Sequence, residues 1–384
     1  MTKRKIINDP VYDGFLSVDD PVILQVIEHP WFQRQRRIKQ LGLTYLVYPG
    51  AMHTRFSHML GTLNLMGRAL AVLRQKGVEI TDEECRGAKL AILLHDIGHG
   101  PFSHTSERAL VDVPHEEITL MMMERMREES SQWAVGSGQW ADAYNALSMC
   151  IDIFTNKYPK HFLHQLVSSQ LDMDRLDYLG RDSFFTGVSE GIVGTDRIIS
   201  MLNVHNDELV VDEKGIYSVE KFIISRRLMY WQVYMHKTVI AADQVLLNIL
   251  RRARELDVSP FTFQLSPFNL DRFAEVDDDD IMVAVKHWQH SDDEILSTLC
   301  KNLVNRRLPA IRFSNEPFTS VNTSYFEGTG VLHNRSYDFN DQEIKVLYKD
   351  GRCLPISEAS DQLDRHFLEK QVTKYFYYHP KELK

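Results

Sequence analysis

The run Leu90-Ala91-Ile92-Leu93-Leu94-His95-Asp96-Ile97-Gly98-His99-Gly100-Pro101-Phe102-Ser103-His104 decides the expected fold. Upstream, Thr81-Asp82-Glu83-Glu84 supplies an N-cap and an acidic first turn, so a helix is predicted through Cys85 to His95. Gly98, Gly100 and Pro101 end it, which places His95 and Asp96 at the helix C-terminus. A lone histidine beside an apolar run is more often a core residue bonded to a carbonyl than a ligand. His95 differs because Asp96 follows at once: an imidazole and a carboxylate at the end of one rigid helix offer two ligands to one cation. Two ligands hold an ion poorly, so others are expected from other helices.

Outward from this run, residues 20–190 carry apolar positions at helical spacing, punctuated by Gly and Pro. Pro114-His115-Glu116-Glu117 opens another helix, in which Met121-Met122-Met123 reads as core filler. Residues 131–138 read as a surface loop. Residues 208–218 alternate as a hairpin does, with Asp212 to Gly215 as its turn. A helix follows over Phe222 to His236, continuing or restarting through Ala241 to Arg254. Beyond 305 the segments Ala310–Phe313, Ile344–Tyr348 and Tyr375–Tyr378 read as strands. Asp277 to Asp280 reads as a solvated helix start. The expected class is mainly α: an all-helical core, a small β-hairpin excursion and an α+β C-terminal part.

With 384 residues, 43% hydrophobic and 25% charged, the chain has enough apolar content for a large core with a smaller unit appended. A net charge of -9 argues against general affinity for nucleic acid or anionic membrane, while leaving room for a local basic pocket. Cys85, Cys150, Cys300 and Cys353 lie far apart, so neither a thiolate metal site nor a disulfide framework is indicated, and a cytoplasmic protein is expected. The basic N-terminus lacks the apolar stretch of a signal peptide, and no apolar run approaches the roughly 20 residues of a membrane span.

Three ordered blocks carry a resemblance: residues 49–58, ending in His58; 95–104, with His95-Asp96; and 172–178, Asp-Met-Asp-Arg-Leu-Asp-Tyr, with Asp174. They resemble the HD superfamily of metal phosphohydrolases, and within it the dNTP triphosphohydrolase branch that includes the vertebrate SAM-and-HD-domain enzyme. The resemblance covers about residues 5 to 255. It implies an HD domain over 1–255, with its metal core at about 50–185, an α+β region packed on it over 256–384, and no SAM domain ahead of it. It implies His58, His95, Asp96 and Asp174 as ligands of one divalent ion, Fe, Mn, Mg, Co or Zn, with a second Mg accompanying the nucleotide. Such a shell leaves positions open for water and a phosphate oxygen.

The same resemblance gives His104 as the acid for the leaving oxygen, supported at i+3 by Glu107, and His115 with Glu116 as a second pair near the leaving group. Arg55, His99, Arg175 and Arg226 would surround the phosphates. Gln40, Leu41, Tyr178, Asp182 and Tyr234 would contact the deoxyribose and leave no room for a 2′-hydroxyl. Lys5, Asn8, Glu28, Arg36 and Lys237 match an effector site for an activating nucleotide in a homo-oligomer, dimer or tetramer. Glu28 stands where an aspartate reads guanine, and Arg175 replaces a lysine, putting a planar fork in place of a point charge. The leading expectation is hydrolysis of dNTPs to deoxynucleoside and triphosphate. The alternatives are an HD phosphatase or phosphodiesterase for another phosphorylated metabolite, and a nucleotide sensor without turnover.

Overall fold

The structure, a computed structural model, describes residues 4–381 except 13, 112, 131–138, 259–267, 320, 335–336 and 340–342, and except the side chains of 104, 106, 108 and 139–141. The loop expected at 131–138 therefore lies outside the described residues. The chain opens with an antiparallel pair, β1 (Lys5–Asn8) and β2 (Phe15–Val18), then the short helices α1 (Pro21–Glu28) and α2 (Pro30–Arg34). The long helix α3 (Arg55–Gln75) leads to α4 (Asp82–Leu94), α5 (His104–Leu110), α6 (His115–Glu129), α7 (Gln139–Phe154), α8 (His161–Val167) and α9 (Met173–Thr186).

α4 forms as its sequence dictates. Thr81 and Glu84 cap each other reciprocally, and the Glu84 carboxylate also accepts from Tyr158 Oη and Lys160 Nζ, both at 2.8 Å. Leu90 to Leu94 are wholly buried, so α4 is the central rod of the main core, which α3, α6, α7, α8 and α9 complete. Met122 and Met123 are buried there as expected, but Met121 is exposed. Gly61 on α3 brings that helix against α9: a Cβ there would overlap the Asp177 carboxylate and the Arg181 guanidinium.

The middle of the chain corrects the expected hairpin. After α10 (Thr195–Met201), β3 (Leu202–His205) turns back into β4 (Glu208–Asp212) through Asn206 and Asp207, both at positive φ, while Asp212 to Gly215 is the entry to α11 (Ile216–Met229). The alternation was real, but the turn residues that tolerate left-handed backbone lie before it. The helix expected to 236 ends sooner. A π-helical turn over Tyr230–Tyr234 follows α11, and α12 (Lys237–Glu255) restarts with His236 as its N-cap.

The C-terminal part holds α13 (Leu270–Glu275), α14 (Asp278–Trp288), α15 (Glu294–Val304), α16 (Ile356–Ala359) and α17 (Arg365–Glu369). The strands expected there are present: β5 (Ala310–Ser314), β7 (Lys345–Leu347) and β9 (Val372–His379), joined by β6 (Gly328–Asn334) and β8 (Cys353–Pro355). One sheet has the order β3-β4-β7-β8, with β7 parallel to β4, so the late chain extends the earlier hairpin. The other has the order β5-β9-β6 and is antiparallel. A second core joins α12, α14 and α15 to Leu43 and Phe102 from the first third of the chain. Asp277 to Asp280 start a helix as expected, and Asp279 is exposed, but the solvated reading is corrected for the rest: Asp277 caps α14 with Asp280, and Asp278 is wholly buried. No described helix is long and apolar enough to cross a membrane.

Candidate metal centre and substrate pocket

α3, the end of α4 and the start of α9 meet at one point. There His58, His95 and Asp174 present ligand atoms within 4.8 Å of one another. His58 Nε2 lies 3.1 Å and His95 Nε2 3.3 Å from Asp174 Oδ1. Asp96 completes the group, with its carboxylate oxygens 3.7 Å from His58 Nε2 and 3.5 Å from His95 Nε2. Two ligands about 2.1 Å from one ion and at right angles stand about 3.0 Å apart, so these spacings fit a shared cation.

Both histidines are held in the tautomer a metal requires. His58 Nδ1 bonds to Asp177 Oδ2 at 2.7 Å, and His95 Nδ1 to the Ile92 carbonyl at 2.6 Å, leaving Nε2 of each facing the centre. Among the described residues those two buried Nε2 atoms have no neighbour that meets hydrogen-bond geometry, only the facing carboxylates. That donor set, two imidazole nitrogens and two carboxylates, fits a divalent ion. Carboxylate charge is concentrated here: burial opposes protonation of His58, but Asp174 and Asp177 outweigh it and lift its pKa to about 10, so a cation binding at Nε2 would displace a proton. Against its own burial, Asp174 is held far below the usual carboxylate range by His58 and His95. Asp177 itself is held by Arg181 Nε at 2.8 Å and by the Tyr12 hydroxyl, and Arg181 reaches on to Asp9 at 2.7 Å. The sequence reading gave Asp177 no role. Its position one turn after Asp174 on α9 was the available signal.

Arg55 pairs with Asp96 through Nη1 and grips Ser103 Oγ through Nε and Nη2 at 3.0 and 2.8 Å. His99 Nε2 lies 3.3 Å from Asp96, and burial with the Arg55 charge keeps it neutral. Its ring stacks on His115 at 3.9 Å between centroids. Glu107 Oε1 accepts from both the backbone N and Nδ1 of His115, at 3.0 and 2.8 Å, whereas the exposed Glu116 stands 3.4 Å away. His99, Glu107 and His115 form a second group of metal-compatible spacing, in which the His99 and His115 rings stack nearly parallel. His104 opens α5, with its side chain outside the described residues.

Along α9, Tyr178 and Asp182 follow Asp174 at four-residue intervals. Asp182 bonds to His53 Nε2 at 2.8 Å and accepts from Tyr234 Oη at 2.7 Å; the π turn delivers Tyr234 there. Tyr178 meets Tyr234 edge to face. Gln40 is tied to His53 by its backbone, and its Oε1 is buried with no described partner. Leu41 packs on the main core. Arg175 and Arg226 both act on Tyr178, and Arg175 keeps Nη1 without a described partner. The effector residues are less gathered: Lys5 stands 3.8 Å from Glu28 and shares β1 with Asn8, whereas Arg36 lies on Phe56 and Gln33, and Lys237 over Phe313.

Residues 55–138 match the model of the HD domain and 193–317 that of the HD associated region. Over its whole length the chain is 32% identical to the uncharacterized protein YwfO of Bacillus subtilis, covering 94% of that protein. The crystal structure of a phosphohydrolase from Bacteroides thetaiotaomicron superposes with a TM-score of 0.90 at 44% identity, over 99% of this chain and 100% of that one. The bovine deoxynucleoside triphosphate triphosphohydrolase SAMHD1 is 27% identical over 65% of this chain, which spans 47% of that protein. With its candidate cation site, its blocks and its full-length likeness to these proteins, the chain belongs to the HD family of metal-dependent phosphohydrolases and is an enzyme.

Proposed function

We propose that this enzyme hydrolyses deoxynucleoside triphosphates to deoxynucleoside and triphosphate. The observation that carries the reading is the run of α9: at about 1.5 Å per residue, Tyr178 and Asp182 stand about 6 and 12 Å along the helix from Asp174. A deoxyribose whose 5′ oxygen lies at the cation site can extend its 3′-hydroxyl to Asp182 and rest its ring on Tyr178 and Tyr234. Gln40 and Leu41 close the other side. Arg55, Arg175 and Arg226 offer the fixed positive charge that a triphosphate needs. The triphosphohydrolase named among the relatives supports the same substrate class.

A divalent ion bound by His58, His95, Asp96 and Asp174 would acidify a water and polarise a phosphate oxygen. The chain's own residues do the rest. Arg55 is aimed by Ser103 and Asp96 at an incoming phosphate, and neutral His99, with Nε2 3.3 Å from Asp96, holds that carboxylate. A water oxygen bonds to the α-phosphorus as its bond to the 5′ oxygen breaks, and that oxygen leaves with a proton from His104 or from His115, which Glu107 orients. The reading also includes a cytoplasmic homo-oligomer activated by nucleotide at Lys5, Asn8, Glu28, Arg36 and Lys237, with a second Mg on the substrate.

The test is a panel of dNTPs, NTPs and phosphomonoesters, alone and in pairs, with Mn or Fe and with products separated by anion exchange. Inorganic triphosphate from at least one dNTP is expected. Orthophosphate as the sole phosphate product would point to a phosphatase for another metabolite.

A further inference from the structure

Asp278 is wholly buried at the first position of α14, yet it does not cap its own helix, since Asp277 and Asp280 do that. Its carboxylate serves two distant segments. Oδ1 accepts from Phe102 N at 2.7 Å, and Oδ2 accepts from Lys39 N at 3.0 Å and Lys39 Nζ at 3.4 Å. Phe102 and Ser103 both have positive φ, 54° and 52°, and Ser103 has ψ of -131°, a conformation that L residues hold only when their surroundings impose it. Ser103 Oγ accepts both Arg55 bonds and donates to the Lys39 carbonyl at 3.3 Å. The neighbouring Val276 carbonyl accepts from buried Arg34, which also holds the His99 carbonyl at 3.1 Å.

From this juxtaposition we propose that Asp278 is a positioning residue for phosphate binding: it fixes the strained Phe102-Ser103 turn so that Ser103 aims the Arg55 fork. The proposal rests on the reading of Arg55 as a phosphate-binding residue. Asp278 touches no substrate. It acts through Ser103, and through Lys39 it also sets the approach to Gln40.

Kinetics of Asp278→Asn, Ser103→Ala and the double variant test the chain of contacts, on whichever phosphate ester the wild type turns over. Each single change is expected to raise KM at least 10-fold with kcat within about 3-fold, and the double to raise it no further. Asp280→Ala, which removes a cap from the same helix, is expected to lower Tm without moving KM. Asp278→Ala, which removes both acceptors, is expected to raise KM at least as far as Asp278→Asn. KM unchanged in Asp278→Asn or in Asp278→Ala, or losses that multiply in the double variant, would overturn the proposal. A wild type that yields no triphosphate from dNTPs but hydrolyses another ester removes the dNTP reading and leaves this test intact.

Discussion

The Asp177 carboxylate shows how much of a metal site lies outside its ligands. It holds His58 Nδ1, and Arg181 and Tyr12 hold it in turn, so His58 Nε2 is aimed before any ion arrives. Asp177→Asn is expected to lower metal affinity by about 10- to 100-fold, read by isothermal titration of the apoprotein with Mn, with circular dichroism unchanged. Asp243 gives a prediction in pH. It accepts from Thr105 Oγ1 at 3.0 Å, and burial raises its carboxyl to about 7. The folded protein therefore keeps a proton that the unfolded chain releases near pH 4, so this group's contribution to stability is lost as pH rises from about 4 to about 7. Asp243→Asn is expected to match wild-type Tm near pH 4 and exceed it at pH 8. An equal Tm at both would show that the carboxyl is not perturbed.

Among the elements, α3 and α9 touch most closely at Gly61, where any side chain would displace Asp177 and Arg181. Gly61→Ala is expected to lose more than about 2 kcal/mol of stability and most of the bound metal, measured by urea unfolding and metal analysis. Helices with local signals were legible in the sequence: Thr81 to Glu84 started α4, and the glycines after Asp96 stopped it. The hairpin was misplaced because Asp212 to Gly215 has the composition of a turn but starts a helix, while Asn206 and Asp207 make the turn. The π turn that brings Tyr234 to Asp182 has no local signature. Asp278 was read as solvated because nothing local tells that its partners are 176 and 239 residues away.

For the whole molecule, the late chain is built into the early one. β7 extends the sheet of β4, and α14 and α15 pack on α12 around Leu43 and Phe102. A chain cut after residue 255 is therefore expected to be insoluble or loosely packed, seen as lost near-UV dichroism and a larger volume on gel filtration. A compact, metal-binding fragment would show that the C-terminal part is dispensable. All of the chemistry proposed depends on one ion at His58, His95, Asp96 and Asp174. The most direct measurement is metal content per chain by mass spectrometry, for the wild type and for folded His95→Ala and Asp174→Ala variants. About one divalent transition ion in the wild type and less than about a tenth of one in each variant is the expected result. Variants that keep the wild-type stoichiometry would contradict this assignment.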